Sequence, residues 1–325
     1  MRRTCVFFHA HPDDEALLTA GTMARLSAEG HRVVLVVATA GERGLAETVH
    51  GAELGEARTS ELHASARELG CAKVIFLGYA DSGLDGAAPG GFAGADVAEA
   101  AAELAELLLR ERADLLTVYD PAGGYGHPDH VQVHRVGIEA ARLADTPVVL
   151  EATVDRDLLL RVLRPLAAMR LAPRTLDVRS FEYAYAPRSE ITHRVDVRDY
   201  ARAKRAAMAA HVTQTTGGDS VRTLAALLRL PRWLFRRVFG TEWYVRRDLA
   251  AGRTAHHPLD AWPAPASAPA SAPASALASE PASAPAPPPA PPPPARVIVL
   301  AADPATVPAA DPVPVPGVPD DAADG

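Results

Sequence analysis

The chain has 325 residues, with 40 acidic against 33 basic side chains and a net charge of -7. The acidity is concentrated after Trp262, where six carboxylates face one arginine; the rest is nearly neutral and lacks the basic footprint of a general nucleic-acid binder. Two cysteines, Cys5 and Cys71, are too few for a disulfide framework or a thiolate zinc site, and no run is long and apolar enough to span a bilayer.

The opening MRRTCVFF carries arginines, but its apolar run is too short for a signal peptide. A cytoplasmic protein without stable membrane insertion is expected. Continuous apolar runs at 5–8, 32–39, 73–78, 115–119 and 147–153 read as strands, and their lack of polar alternation fits parallel strands covered on both faces. Helical patterns lie between them. Residues 14–29 end at Gly30 and 53–69 at Gly70, each glycine suiting a C-cap, and 96–112 and 128–144 supply two more. Strand alternating with helix implies right-handed crossovers and an α/β doubly wound, mostly parallel sheet with helices on both faces. After about residue 155 the pattern loosens: 193–211 reads as a strand and a helix, and 224–240 as a basic, aromatic helical stretch broken at Pro231. The arginine/aromatic stretch 229–247 is read as an amphipathic helix over the mouth of a site rather than as a membrane contact. From Pro263 the sequence turns to proline, alanine and serine, with 19 of the 29 prolines after Trp262. Such composition buries too little to offset its ordering entropy. One domain over 1–262 and a disordered tail over 263–325 are therefore expected.

The densest chemistry is FFHAHPDDE at 7–15. Its His-Pro-Asp recurs as His127-Pro128-Asp129, and each copy follows a strand and opens a helix. Proline suits a first helical position, so simple capping explains either copy alone. Both together point further. In the common 3-2-1-4-5 strand order the first and fourth strands are neighbours, and the two clusters would meet in the crevice at the topological switch point, where α/β sheets bind ligands. A dinucleotide needs a glycine-rich loop there, whereas these carboxylates would repel a pyrophosphate. Carboxylates with imidazoles suit a divalent cation held by three protein ligands.

AHPDDE with the later GHPDH resembles the PIG-L/LmbE family of metal-dependent de-N-acetylases, which remove acyl groups from N-acylated amino sugars. TAGERG (39–44), GYADSGL (78–84), YGHPDHVQVH (125–134) and AHVTQ (210–214) resemble its mycothiol-pathway branch. The resemblance covers residues 4–245 and implies a Rossmann-like, LmbE-type fold and hydrolysis of a small N-acyl glycoconjugate. It also implies Zn2+, with Fe2+ suiting the same donors, held by His11, Asp14 and His130. Asp13 is implied as general base and His127 as a protonated oxyanion donor with Asp129 orienting its ring; Tyr125, beside His127, is expected to donate to the oxyanion or simply to pack. Arg58 and Asp81 are implied as grips on sugar hydroxyls, against a plain solvated mid-helix arginine for Arg58. Glu15 is expected as a support for a ligand or a plain first-turn acid, His134 as an outer helix residue, His9 as lining the strand end, and His211 and Gln214 as closing the pocket from the far side. The rival readings are an inactive sugar-binding protein of this fold and a deacetylase of a glycosylated secondary metabolite.

Overall fold

The computed structural model describes residues 1–44, 50–169, 178–214, 221–249 and 254–262. The tail expected from residue 263 lies outside them. Seven strands form one sheet: β1 (Thr4–His9), β2 (Arg32–Thr39), β3 (Lys73–Tyr79), β4 (Leu115–Tyr119), β5 (Val148–Thr153), β6 (His193–Asp196) and β7 (Thr241–Val245), in the order β3-β2-β1-β4-β5-β7-β6. The first five are parallel, as expected from their apolar runs. The last two extend the sheet antiparallel, with β7 inserted between β5 and β6. The sequence reading had no strand at 241–245.

Successive residues of β1 feed different layers. Cys5 and Phe7 join a core with Met23, Leu26, Leu62 and Met208, while Val6 and Phe8 join another with Leu104, Leu108, Val133 and Val136. This is the period-two alternation of a strand covered on both faces. The helices are α1 (Asp14–Leu18), α2 (Ala20–Ala28), α3 (Gly51–Glu68), α4 (Val97–Glu111), α5 (Pro128–Leu143), α6 (Arg156–Ala168), α7 (Ala201–Ala210), α8 (Val221–Leu228) and α9 (Arg232–Phe239). Among the described residues no helix is long and apolar enough to cross a membrane.

Two departures from the sequence reading have identifiable causes. The helix expected over 14–29 breaks at Thr19, whose φ of -129° and ψ of -4° are not helical. The new start is capped from far along the chain: the Glu242 carboxylate accepts from the amides of Gly21 and Thr22, both at 2.8 Å. Gly21 is required there, because a Cβ would stand 2.5 Å from the Val197 side chain. Glu242 also takes the buried Lys204 ammonium at 2.7 Å, a pair whose breakage typically costs about 3–5 kcal/mol. In the second departure, the stretch expected as one amphipathic helix divides into α9 and β7. α9 packs on α7, with Phe235 under the Arg205 guanidinium, Phe239 near Lys204 and Arg236 paired with Asp199.

Candidate metal centre

β1 and β4 end side by side, and the chain leaves both toward one crevice. From β1 comes the turn His11-Pro12-Asp13 into α1. From β4 comes a loop that reaches α5 through His127, whose Nδ1 accepts the Asp129 amide at 3.2 Å and so caps the helix behind Pro128. The topology thus delivers both motifs to one place.

His11 lies among three carboxylates. Its Nδ1 is 3.4 Å from Asp14 Oδ2, and its Nε2 is 3.0 Å from Asp129 Oδ2 and 3.5 Å from Asp81 Oδ1. Burial works against a charge on this ring, but the Asp129, Asp14 and Asp81 carboxylates together hold its pKa well above the usual histidine value. Asp14 turns its other oxygen to His130 Nε2 at 3.3 Å and accepts the His11 amide at 2.9 Å. It is held well below the ordinary carboxylate range, since the two imidazoles outweigh its burial. His130 stacks on Tyr119 with ring centres 4.3 Å apart and planes 17° from parallel. Donor atoms of His11, His127 and His130 lie within 4.8 Å of one another, as do those of His11, Asp81 and Asp129. His11, Asp14 and His130 are thus brought together, with His127 beside them.

These donors fit a divalent cation. Both ring nitrogens of His130 and Oδ1 of Asp129 are buried without a hydrogen-bond partner among the described residues. Buried polar atoms left bare are costly, and a cation facing His130 would satisfy one of them. The thiols stand apart: Cys5 is in the core beneath β1, where burial pushes it to about 12.

Asp13 has φ 98°, a conformation disfavoured for a residue with a Cβ. Its Oδ1 takes Arg58 Nη2 at 3.1 Å, and its amide donates to Glu15 Oε2 at 3.0 Å. Burial raises the carboxyl above its usual value; Arg58 opposes this and the neighbouring Asp14 charge adds to it. Half-exposed Tyr125 stands edge-on to His130 and His127, with ring centres 5.2 and 6.1 Å away.

Several expected roles change. The Asp129 carboxylate does not hold His127; it takes His11 and the Ser82 amide, and only its backbone N–H meets His127. His127 is not poised as a cation, because burial and then the His11 and His130 rings pull it down to about 4. Arg58 has no fork open to a sugar: it is buried, Nη1 donates to the Gly41 carbonyl at 2.8 Å and Nη2 to the Pro12 carbonyl and Asp13. Asp81 accepts from the Gly83 and Arg43 amides at 2.8 and 3.1 Å while facing His11, so its oxygens are also engaged within the protein.

The remaining histidines sort by their partners. His9 is fixed between Tyr119 Oη and Thr19 Oγ1, both at 2.9 Å, and burial lowers it to about 4. His134 Nδ1 meets the Tyr119 carbonyl at 3.0 Å, which suits an outer role. His211 is buried against Glu15 Oε1 at 2.7 Å, whereas Gln214 bonds to Thr213. Tyr119, Ser65 and Ser82 were not singled out from the sequence. Tyr119 ends an apolar run, and nothing in a single sequence marks it as the surface on which His130 stacks.

The model of the GlcNAc-PI de-N-acetylase family, PIG-L, matches residues 6–141. A 1D-myo-inositol 2-acetamido-2-deoxy-alpha-D-glucopyranoside deacetylase of Streptomyces avermitilis is 38% identical over 74% of this chain and 91% of its own length. A deacetylase of the same description from Streptomyces griseus is 41% identical over 65% of this chain and 75% of its own. The N,N'-diacetylchitobiose deacetylase of Pyrococcus horikoshii shares the fold at a TM-score of 0.52, with 21% identity, 75% of this chain and 83% of that one covered.

Proposed function

The chain belongs to the GlcNAc-PI de-N-acetylase (PIG-L) family, and from that premise we propose that it is a metal-dependent amide hydrolase that deacetylates an N-acetylglucosaminide. The Streptomyces relatives point to a glucosaminide of inositol as the first substrate to try. The observation that carries the reading is His130, whose two ring nitrogens are buried without a hydrogen-bond partner among the described residues, with Asp14 Oδ1 3.3 Å from Nε2. His11, Asp14 and His130 are the residues proposed to hold the ion, zinc or ferrous iron. Such an ion supplies Lewis acidity, lowering the pKa of water to about 7 and polarising a carbonyl.

The protein's own groups supply the rest. Asp13 accepts the proton of the attacking water and delivers it to the departing amine. His127 offers a donor where negative charge develops on the acyl oxygen. Tyr125, half-exposed and edge-on to both rings, is the second donor proposed for the same oxygen. The acetyl carbon is attacked, the C–N bond breaks, and acetate and a free amine leave.

The test is amine release from a panel of N-acyl glucosaminides, glucosaminyl inositol included, by protein loaded with zinc or with ferrous iron. Release of amine with equimolar acetate is expected. Binding of these sugars without release would assign the chain to the inactive, sugar-binding reading.

A further inference from the structure

Glu15 and His211 neither face the acyl group nor hold the ion in the reading above, yet both are fully buried, and Glu15 adjoins the base. Glu15 Oε2 accepts the Asp13 amide at 3.0 Å. Its Oε1 accepts the Ser65 hydroxyl at 2.6 Å and meets His211 Nε2 at 2.7 Å. His211 Nδ1 is buried with no hydrogen-bond partner among the described residues, so the ring makes its one bond to Glu15. It arrives from the C-terminal end of α7, which packs on α1 and α3 and lies beyond the residues matched by the family model.

The object of this arrangement is the turn at Asp13. A residue with a Cβ stays at φ 98° only where its surroundings over-determine it. Two grips do so here. Arg58 takes the Pro12 carbonyl and the Asp13 carboxylate from one side, and Glu15 takes the Asp13 amide from the other. Glu15 in turn needs fixing, because one side-chain rotation would release that amide. Ser65 and His211, both on its other oxygen, prevent the rotation.

We infer that His211 is a positioning residue for the base: acting through Glu15, it fixes the backbone turn that aims the Asp13 carboxylate. The inference rests on the assignment of Asp13 as base made above. A residue that only glued α7 to α1 would leave the Asp13 amide and the turnover of a folded variant unchanged.

The experiment compares His211→Leu, which keeps bulk and loses the donor, with His211→Gln, whose amide nitrogen occupies nearly the position of Nε2. Each is measured for metal content, KM and kcat, and for exchange of the Asp13 amide proton by NMR. The Leu variant should bind one ion with near-parent KM, lose about 10–100-fold in kcat, the range for removing an outer hydrogen-bond partner, and exchange that amide faster. The Gln variant should restore protection and most of kcat. Parent-like kcat and protection in the Leu variant, a Gln variant as impaired as Leu, or a change confined to KM or metal content would each overturn the inference. If the Leu variant does not fold, Glu15→Gln decides by the same readouts, and parent-like kcat and protection there overturn it. If the parent itself releases no amine, the deacetylase reading fails, while the exchange measurement still decides the link from His211 to Asp13.

Discussion

Oδ2 of Asp129 stands 3.0 Å from Nε2 of His11, so the carboxylate of the second His-Pro-Asp motif holds the leading histidine of the first. With Asp81 on the same nitrogen at 3.5 Å, Nε2 carries the proton and Nδ1 is the nitrogen turned to Asp14. An outer carboxylate of this kind fixes both the tautomer and the ring angle of a ligand. Asp129→Ala should therefore weaken zinc affinity by about 10–100-fold while leaving His11 in place. Titration against a competing chelator reads this directly; unchanged affinity would mean that Asp81 alone suffices.

Asp13 offers a second test. Asp13→Asn should retain the ion and lose about 10²–10⁴ in turnover, the usual contribution of a general base. The parent should also show a shifted acid limb. A base works ionised, and burial raises this carboxyl, so kcat/KM should fall as pH drops through a value above the ordinary aspartate pKa of about 3.9. An acid limb at or below that value, or an Asn variant at the parent rate, would remove Asp13 from the role.

Much of this was legible because it is local. In β2, Val33 to Ala38 are all fully buried, and a strand with no solvent face writes itself as an unbroken apolar run. The residues proposed to hold the ion fall within two short motifs, so the 3-2-1-4-5 order sufficed to bring them together. What was not legible depends on partners distant in sequence. The break at Thr19 is made by Glu242, whose carboxylate caps α2 from 221 residues away. β7 is one five-residue run whose partners, β5 and β6, only the fold supplies. α6 buries only Leu160 and follows a strand already counted as the last of its series. Which imidazole Asp129 would hold could not be read from its place beside His127, because neighbours at a helix start point different ways.

His193 on β6 supplies a prediction away from the candidate metal centre. The ring is buried, Nδ1 bonds to Thr192 Oγ1 at 2.9 Å, and Nε2 has no hydrogen-bond partner among the described residues. Burial, helped by the Arg246 charge, lowers it to about 4. Between that value and the unfolded-state pKa of about 6.5, the unfolded chain binds a proton that the folded protein refuses. Stability from this residue is thus full above pH 6.5 and is lost as pH falls toward 4, by up to about 3 kcal/mol. Urea midpoints at pH 7 and pH 4.5 should converge more in His193→Gln than in the parent. Equal differences would show that the ring titrates normally in the folded state.

His127 carries the sharpest revision of the sequence reading. A cationic ring was expected, yet Nδ1 accepts the Asp129 amide, which it can do only when unprotonated. The neutral ring then bears its proton on Nε2, and burial with the adjacent His11 and His130 rings keeps it neutral down to about 4. A neutral N–H still donates to an oxyanion. His127→Ala should lower kcat by about 10²–10³, the cost of one such donor, with one ion per chain retained. His127→Gln keeps an uncharged N–H donor and should recover part of that loss, which a requirement for a cation would not allow. The pH profile separates the two cases further. A ring neutral throughout the working range contributes no basic limb, so any decline at high pH should be the same in parent and Gln variant. A decline present in the parent and absent from the Gln variant would restore the cation. Loss of the ion in the Ala variant would instead make His127 a ligand, an outcome its position within 4.8 Å of the His11 and His130 donors makes worth measuring first.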